Sequence, residues 1–194
     1  NAPTDYAIHV NAHALARYAA LCQEQDIVPI VEPEVLMDGD HSIDVCEEVT
    51  DLVLDAVFAE LSAQNILLEG MVLKPNMVVS GKKCPQQASV DEVAERTVRV
   101  LRRRVPAAVP GIAFLSGGQS DVDATAHLDA MNRIGNLPWS LTFSYGRALQ
   151  AAALKAWGGK ADNLAAARAA HLHRASMNGL ASKGEWTTQR EKAA

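Results

Sequence analysis

Four short apolar runs, at residues 27–31, 66–73, 111–115 and 140–144, alternate with six longer stretches of helical periodicity. This alternation constrains the fold more than any other feature of the chain. Short buried strands separated by helices are the pattern of βα units, whose crossovers give a parallel sheet. Runs that are apolar at nearly every position suit strands covered on both faces. The helical stretches fall at 6–25, 43–63, 89–104, 120–134, 146–157 and 163–181. Leu15, Tyr18, Ala19 and Cys22 mark the apolar face of the first, and Ile43, Cys46, Val49, Val53 and Val57 that of the second. Asp40 or Ser42 can cap the second helix, and Ser89 and Glu92 stand at capping-box spacing at the head of the third.

The expected class is therefore α/β, with a parallel sheet. Four parallel strands leave two apolar edges, and such edges need cover. One solution is a closed eight-stranded barrel to which this chain contributes half. The other is an open, doubly wound sheet. Periodicity does not choose between them. At 194 residues and 48% hydrophobic content the chain can bury one sizeable core. No linker or repeat divides it, so residues 1–182 are expected to form one unit and residues 183–194 a loose polar tail.

Charge and cysteine usage exclude several roles. The formal net charge is −5 and no basic stripe is present, so no nucleic-acid partner is expected. Arg102-Arg103-Arg104 reads as a solvated helix C-terminus, where cations suit the dipole. Cys22, Cys46 and Cys84 have neither metal-ligand spacing nor a disulfide framework, which fits a reducing cytoplasm. No apolar run approaches the roughly 18 residues of a membrane span, and no signal peptide is evident, so no membrane association is expected. The first residue is Asn1 and not Met, so an upstream portion is expected.

Chemistry-bearing residues gather just after the apolar runs. Lys74 closes the second, in Leu68-Glu69-Gly70-Met71-Val72-Leu73-Lys74-Pro75-Asn76. Desolvation disfavours a charged amine, and a neutral lysine can attack a carbonyl and form a Schiff base. Pro75 cannot extend a hydrogen-bond ladder, so the strand should end where the amine appears. Val28-Pro29-Ile30-Val31-Glu32-Pro33-Glu34 puts two carboxylates two residues apart, a spacing that points both to one side of an extended chain. One can move protons while the other holds geometry; an ion pair or a helix cap is the bland alternative. Phe114-Leu115-Ser116-Gly117-Gly118-Gln119-Ser120 can turn backbone N–H groups toward an anion at a helix N-terminus, although a tight βα turn uses glycine anyway. Phe143-Ser144-Tyr145-Gly146-Arg147 offers a second anion site, with a guanidinium able to grip a phosphate. Arg147 opposes the helix dipole there unless an anion is bound.

Other candidates are weaker. His171 and His173 point to different sides of a helix, and His9 and His13 share one helical turn at a spacing that chance also gives. Asp38-Gly39-Asp40-His41 lacks the closing glutamate of a calcium loop and reads as a polar turn. Trp139, Trp157 and Trp186 read as packing residues.

Taken in order, these strand-end motifs resemble class I fructose-bisphosphate aldolase, as does Ala156-Trp157-Gly158-Gly159, and the likeness runs from about Ala7 to Gly184. The resemblance implies a (β/α)8 TIM barrel of which this chain holds roughly the last four βα units plus C-terminal helices. It implies a metal-independent, cofactor-free lyase of glycolysis and gluconeogenesis in the cytoplasm. Lys74 would form the Schiff base with a phosphorylated sugar, Glu32 would transfer protons, and Glu34 would stand beside it. Ser116, Gly117, Gly146 and Arg147 would hold the phosphate on the dihydroxyacetone side. It further implies partners: the first half of the barrel, which carries an aspartate for C–C cleavage and the second phosphate site, and other subunits, since family members are commonly tetramers. Many members end in a tyrosine that protonates the enamine, whereas the last tyrosine here is Tyr145. A competing expectation is a catalytically inactive half-barrel that serves as an interaction module or assembly subunit.

Overall fold

A computed structural model describes residues 2–192. Helix α1 (Asp5–Gln23) precedes strand β1 (Ile30–Val31). Three units follow: α2 (Ile43–Ala63) and β2 (Val72–Leu73), α3 (Val90–Arg104) and β3 (Gly111–Phe114), α4 (Asp121–Ile134) and β4 (Ser140–Phe143). Helices α5 (Arg147–Trp157), α6 (Leu164–Ala181) and α7 (Thr188–Lys192) close the chain. The helix heads are set by serine. Ser42, Ser89 and Ser120 each accept a hydrogen bond from the backbone N–H three residues on, at 3.4, 3.2 and 3.0 Å.

The four strands are all parallel and lie in the order β1-β2-β3-β4. A strand order that follows the sequence without reversal, with right-handed crossovers, puts every helix on one face. The helices accordingly touch in series, α1 on α2, α2 on α3 and α3 on α4. This is the arrangement of four consecutive barrel units, and it removes the doubly wound alternative, whose strand order reverses at a switch point. All four strand C-termini, and the loops that leave them, therefore share one end of the sheet.

The strands are shorter than the apolar runs that announce them. Residues 66–73 do not form one strand: Leu68–Gly70 make a 3-10 turn, and only Val72–Leu73 pair. Residues 27–31 likewise contribute only Ile30–Val31. Nor is the run 27–31 buried on both faces, since Ile27, Val28 and, within β1, Ile30 are 57%, 60% and 50% exposed. Among the described residues β1 pairs on one side only. Its outer flank is one open sheet edge, and the flank of β4 away from β3 is the other among the described residues.

Two charged segments are better held than their composition suggests. Arg104 pairs with Asp51 and Asp55, and Arg103 approaches Glu47 and Asp51, so the arginine run clamps α3 to α2 and is not a freely solvated end. The tail beyond residue 182 is not loose through residue 192. Trp186 is buried, its N–H donates to Asp129 at 2.8 Å, and its indole N–H donates to Glu191 at 2.9 Å. Glu191 in turn meets Arg174 on α6. A tryptophan whose backbone N–H meets an aspartate and whose indole meets a glutamate is why this polar segment docks. Trp139 is also buried, while Trp157 is 40% exposed. His9 and His13 both face Glu60 across α1 and α2, at 3.5 and 3.0 Å, so their spacing builds an inter-helix contact.

Candidate active site

The ends of β1 and β2 place an acid against an amine. In register, Val31 faces Leu73, so the residues that follow, Glu32 and Lys74, emerge side by side. The Lys74 N–H still donates to the Val31 carbonyl at 2.7 Å, and Pro75 then supplies its carbonyl to the Leu115 N–H at 3.1 Å. Lys74 Nζ lies 3.0 Å from Glu32 Oε1, the amine 19% exposed and the acid 45%. The amine thus stands at a half-buried mouth, within proton-transfer distance of a solvated carboxylate. Glu34 is exposed and does not join this pair. Its Oε1 turns toward β3, 3.8 Å from where a Cβ on Gly117 would stand.

Asn76, which its place in the sequence motif gives no role, holds these two strand ends in place. It is buried, accepts from the Val35 N–H at 3.0 Å and donates to Thr50 Oγ1 at 3.1 Å and to the Met77 carbonyl at 3.1 Å. The loop carrying Glu32 and Glu34 is thereby tied to the residues after Lys74. An asparagine after a strand-ending Lys-Pro was the available signal, because a polar side chain in an otherwise apolar run needs partners.

The ends of β3 and β4 are built mainly from backbone. Ser116 is buried, and Gly117 and Gly118 follow at φ of 59° and 92°, a region that favours glycine. Behind this turn His127 is buried, and its Nδ1–H donates to Gln119 Oε1 at 2.6 Å. Burial depresses the His127 pKa to about 4, so the ring is neutral near pH 7. Beyond β4, Tyr145 is buried and its hydroxyl donates to the Ala124 carbonyl at 2.8 Å, pinning the loop to α4. Burial raises the Tyr145 hydroxyl far above the ordinary tyrosine range, so it serves as an anchor.

Gly146 then heads α5, and this helix has no side-chain cap, unlike α2, α3 and α4. Uncapped N–H groups at a helix start are open to an anion. Arg147 sits in this first turn, is exposed, and has no carboxylate within 4.0 Å of its guanidinium among the described residues. Ser116, Gly117, Gly146 and Arg147 thus lie at adjacent strand ends, since β3 and β4 pair through Phe114 and Phe143. Together the four ends present a part-buried amine, a carboxylate beside it, a glycine turn and a free guanidinium. Among the described residues no group of three metal-ligating side chains is assembled.

Comparison with known proteins gives one family throughout. The family model described as fructose-bisphosphate aldolase class-I matches residues 1–194. A probable fructose-bisphosphate aldolase class 1 of Xanthomonas campestris pv. campestris is 58% identical over 185 residues, 95% of this chain and 55% of that protein. The fructose-bisphosphate aldolase of Dictyostelium discoideum is 54% identical over 187 residues, 96% of this chain and 52% of that protein. A solved structure of the Plasmodium falciparum fructose-bisphosphate aldolase, in complex with TRAP and a small-molecule inhibitor, superposes with a TM-score of 0.93 at 53% identity. It covers 95% of this chain and 53% of that one. The chain spans about half the length of the curated relatives it matches.

Proposed function

The chain belongs to the class-I fructose-bisphosphate aldolase family, and from that premise we propose that it supplies the Schiff-base and one phosphate subsite of an enzyme that reversibly cleaves fructose 1,6-bisphosphate. The products are dihydroxyacetone phosphate and glyceraldehyde 3-phosphate. The observation that carries this reading is the 3.0 Å approach of Lys74 Nζ to Glu32 Oε1, at the same end of the sheet as an uncapped helix start that bears Arg147.

In the cleavage direction Lys74 Nζ attacks the ketose carbonyl carbon, and a proton passes to the carbonyl oxygen to give a carbinolamine. Glu32, once protonated, gives that hydroxyl the proton it needs to leave as water, and a C=N⁺ bond forms. The iminium accepts the electron pair when the C3–C4 bond breaks. An enamine remains on Lys74 and an aldehyde departs. Proton removal from the C4 hydroxyl is assigned to the family's first barrel half. Ser116, Gly117, Gly146 and Arg147 would hold the phosphate of the dihydroxyacetone moiety. Glu34, turned toward the glycine turn, would support that side of the site. The iminium serves as the electron sink, so the reaction requires no metal or other cofactor. Glycolytic and gluconeogenic use in the cytoplasm, and assembly of the complete enzyme into a homo-tetramer, belong to the same reading.

Borohydride trapping with dihydroxyacetone phosphate tests it. Reduction should fix one adduct on Lys74, and Lys74→Ala should abolish it. An adduct on Lys155 or Lys160 would overturn the assignment. A second reading, an inactive half-barrel that acts as an assembly subunit, is favoured by the exposed flank of β1. Chain that binds a separately supplied first barrel half but forms no Lys74 adduct in that complex would establish it.

A further inference from the structure

The proposed phosphate subsite has a second cation beside it that none of the strand-end motifs includes. The loop after β2 is laced to the loop after β1 by backbone hydrogen bonds. Lys82 N–H donates to the Met37 carbonyl at 2.7 Å, Lys83 to Gly39 at 2.9 Å, and Gly81 to His41 at 2.9 Å. A Cβ on Gly81 would stand 2.4 Å from the Gly39 carbonyl oxygen, so this close lacing requires glycine there. Lys82 is thereby fixed at its backbone and projects toward β3.

Its ammonium reaches the glycine turn. A Cβ on Gly118 would lie 2.4 Å from Lys82 Nζ and 3.4 Å from Arg147 Nη2. Distances of 2.4 and 3.4 Å from one point hold the two cations within about 6 Å of each other. Two like charges converge on a turn whose glycines are already suited to an anion. Asp38 is the partner of Lys82, Oδ1 to Nζ at 2.8 Å, and it is 66% exposed. The hydrogen bond and charge of Lys82 hold the Asp38 carboxyl below its ordinary range, with Arg147 and Lys83 adding to the effect. Glu34 faces the Gly117 side of the same turn.

We propose that Lys82 is a further specificity-determining residue, which gives its ammonium to the substrate phosphate bound at Gly117–Gly118, and that Asp38 competes with the phosphate for it. The inference rests on the reading of Ser116, Gly117, Gly146 and Arg147 as a phosphate subsite. A phosphate dianion matches two converging cations better than one, with the guanidinium gripping two oxygens and the ammonium acting as a point charge.

Titration of the chain with inorganic phosphate and with dihydroxyacetone phosphate tests this, using K82M, D38N, R147A and the charge-preserving K82R. K82M should weaken both ligands roughly tenfold, and K82R should retain most of the affinity. D38N should leave binding unchanged or tighten it, because it frees the ammonium. Trapping of unphosphorylated dihydroxyacetone on Lys74 should be the same in K82M and parent. If Lys82 only braced Asp38, K82M and D38N would shift phosphate affinity in the same direction, and the proposal would fall. If R147A weakened phosphate while K82M did not, the Lys82 role alone would fail. If R147A and K82M both left phosphate affinity unchanged, the subsite itself would be wrong.

Discussion

Strands β1 and β2 pair over two residues, whereas β3 and β4 pair over four, and the contrast extends outward on each side. On the β3–β4 side Ile112, Phe114, Leu128 and Met131 are wholly buried. A polar cluster of Thr125, Asp129, Arg174 and Asn178 is buried with them. The segment beyond α6 then seals it through Trp186 and Glu191. On the β1–β2 side Ile27, Val28, Ile30 and Leu36 are exposed, and a groove of about 850 Å³ runs between α1, α2 and the loop after β1. Ser116, Gly117, Gly146 and Arg147 sit on the finished side, and the proposed Schiff-base pair and Lys82 on the unfinished one. Phosphate recognition should therefore be largely autonomous to this chain, while carbon chemistry should depend on whatever covers β1.

The largest effect should come from breaking the seal of the finished side. Arg174 is 4% exposed, with Glu191 as its main carboxylate partner and Thr125 Oγ1 accepting at 3.0 Å. Glu191→Ala leaves the buried guanidinium with only the 3.7 Å approach of Asp121 as a carboxylate partner and frees the Trp186 indole N–H. It should cost about 3–5 kcal/mol in a urea unfolding series. A loss below about 1 kcal/mol would mean that the C-terminal segment is not part of the cooperative unit, and the contrast between the two sides would weaken.

The next effect is a pH dependence on the same side. His127 has a folded pKa depressed by burial to about 4, against an ordinary 6.5. Between those values the unfolded chain takes up a proton that the folded chain refuses. Stability from this group is therefore complete above about pH 6.5 and falls as the pH drops toward about 4. The gap between those two values corresponds to about 3 kcal/mol. Stability measured at pH 7 and pH 4.5 should differ by less in His127→Gln than in the parent. An unchanged difference would place the titrating group elsewhere. Because the folded ring that holds Gln119 behind the Ser116–Gly118 turn stays neutral until about pH 4, titration of His127 should leave phosphate affinity unchanged above that pH.

How legible each side was in the sequence follows from the same contrast. The helices, the four strand positions and the sharing of one end by Lys74, Glu32, Ser116 and Arg147 could be read from periodicity and punctuation, because each of those signals is local. The choice between barrel and doubly wound sheet could not, since strand order is a long-range property that no window contains. The short extent of β1 and β2 was hidden too. Ile27, Val28 and Leu67 are apolar without being paired or buried, and an apolar run cannot reveal whether its neighbour strand is present. The docking of residues 185–192 escaped because Glu191 and Arg174 are 17 residues apart and read separately as surface charges. Asn76 and Lys82 escaped for a similar reason, since their partners lie in the loop after β1, about 40 residues away.

The smallest effect on stability should come from the unfinished side, and its smallness is the test. Ile30 is half-exposed on the outer strand, and Ile30→Thr keeps a β-branched side chain suited to a strand. Its unfolding free energy should stay within about 0.5 kcal/mol of the parent. Association is where the substitution should be felt. If a partner strand covers β1, burying the remaining exposed half of an isoleucine is worth about 1 kcal/mol, so affinity for a separately supplied first barrel half should fall about fivefold. Gel filtration at several concentrations would read this directly. A variant that unfolds about 2 kcal/mol more easily on its own would show that the chain already buries this edge, and the supposed difference between the two sides would be lost. A variant that associates as tightly as the parent would place the missing cover somewhere other than β1.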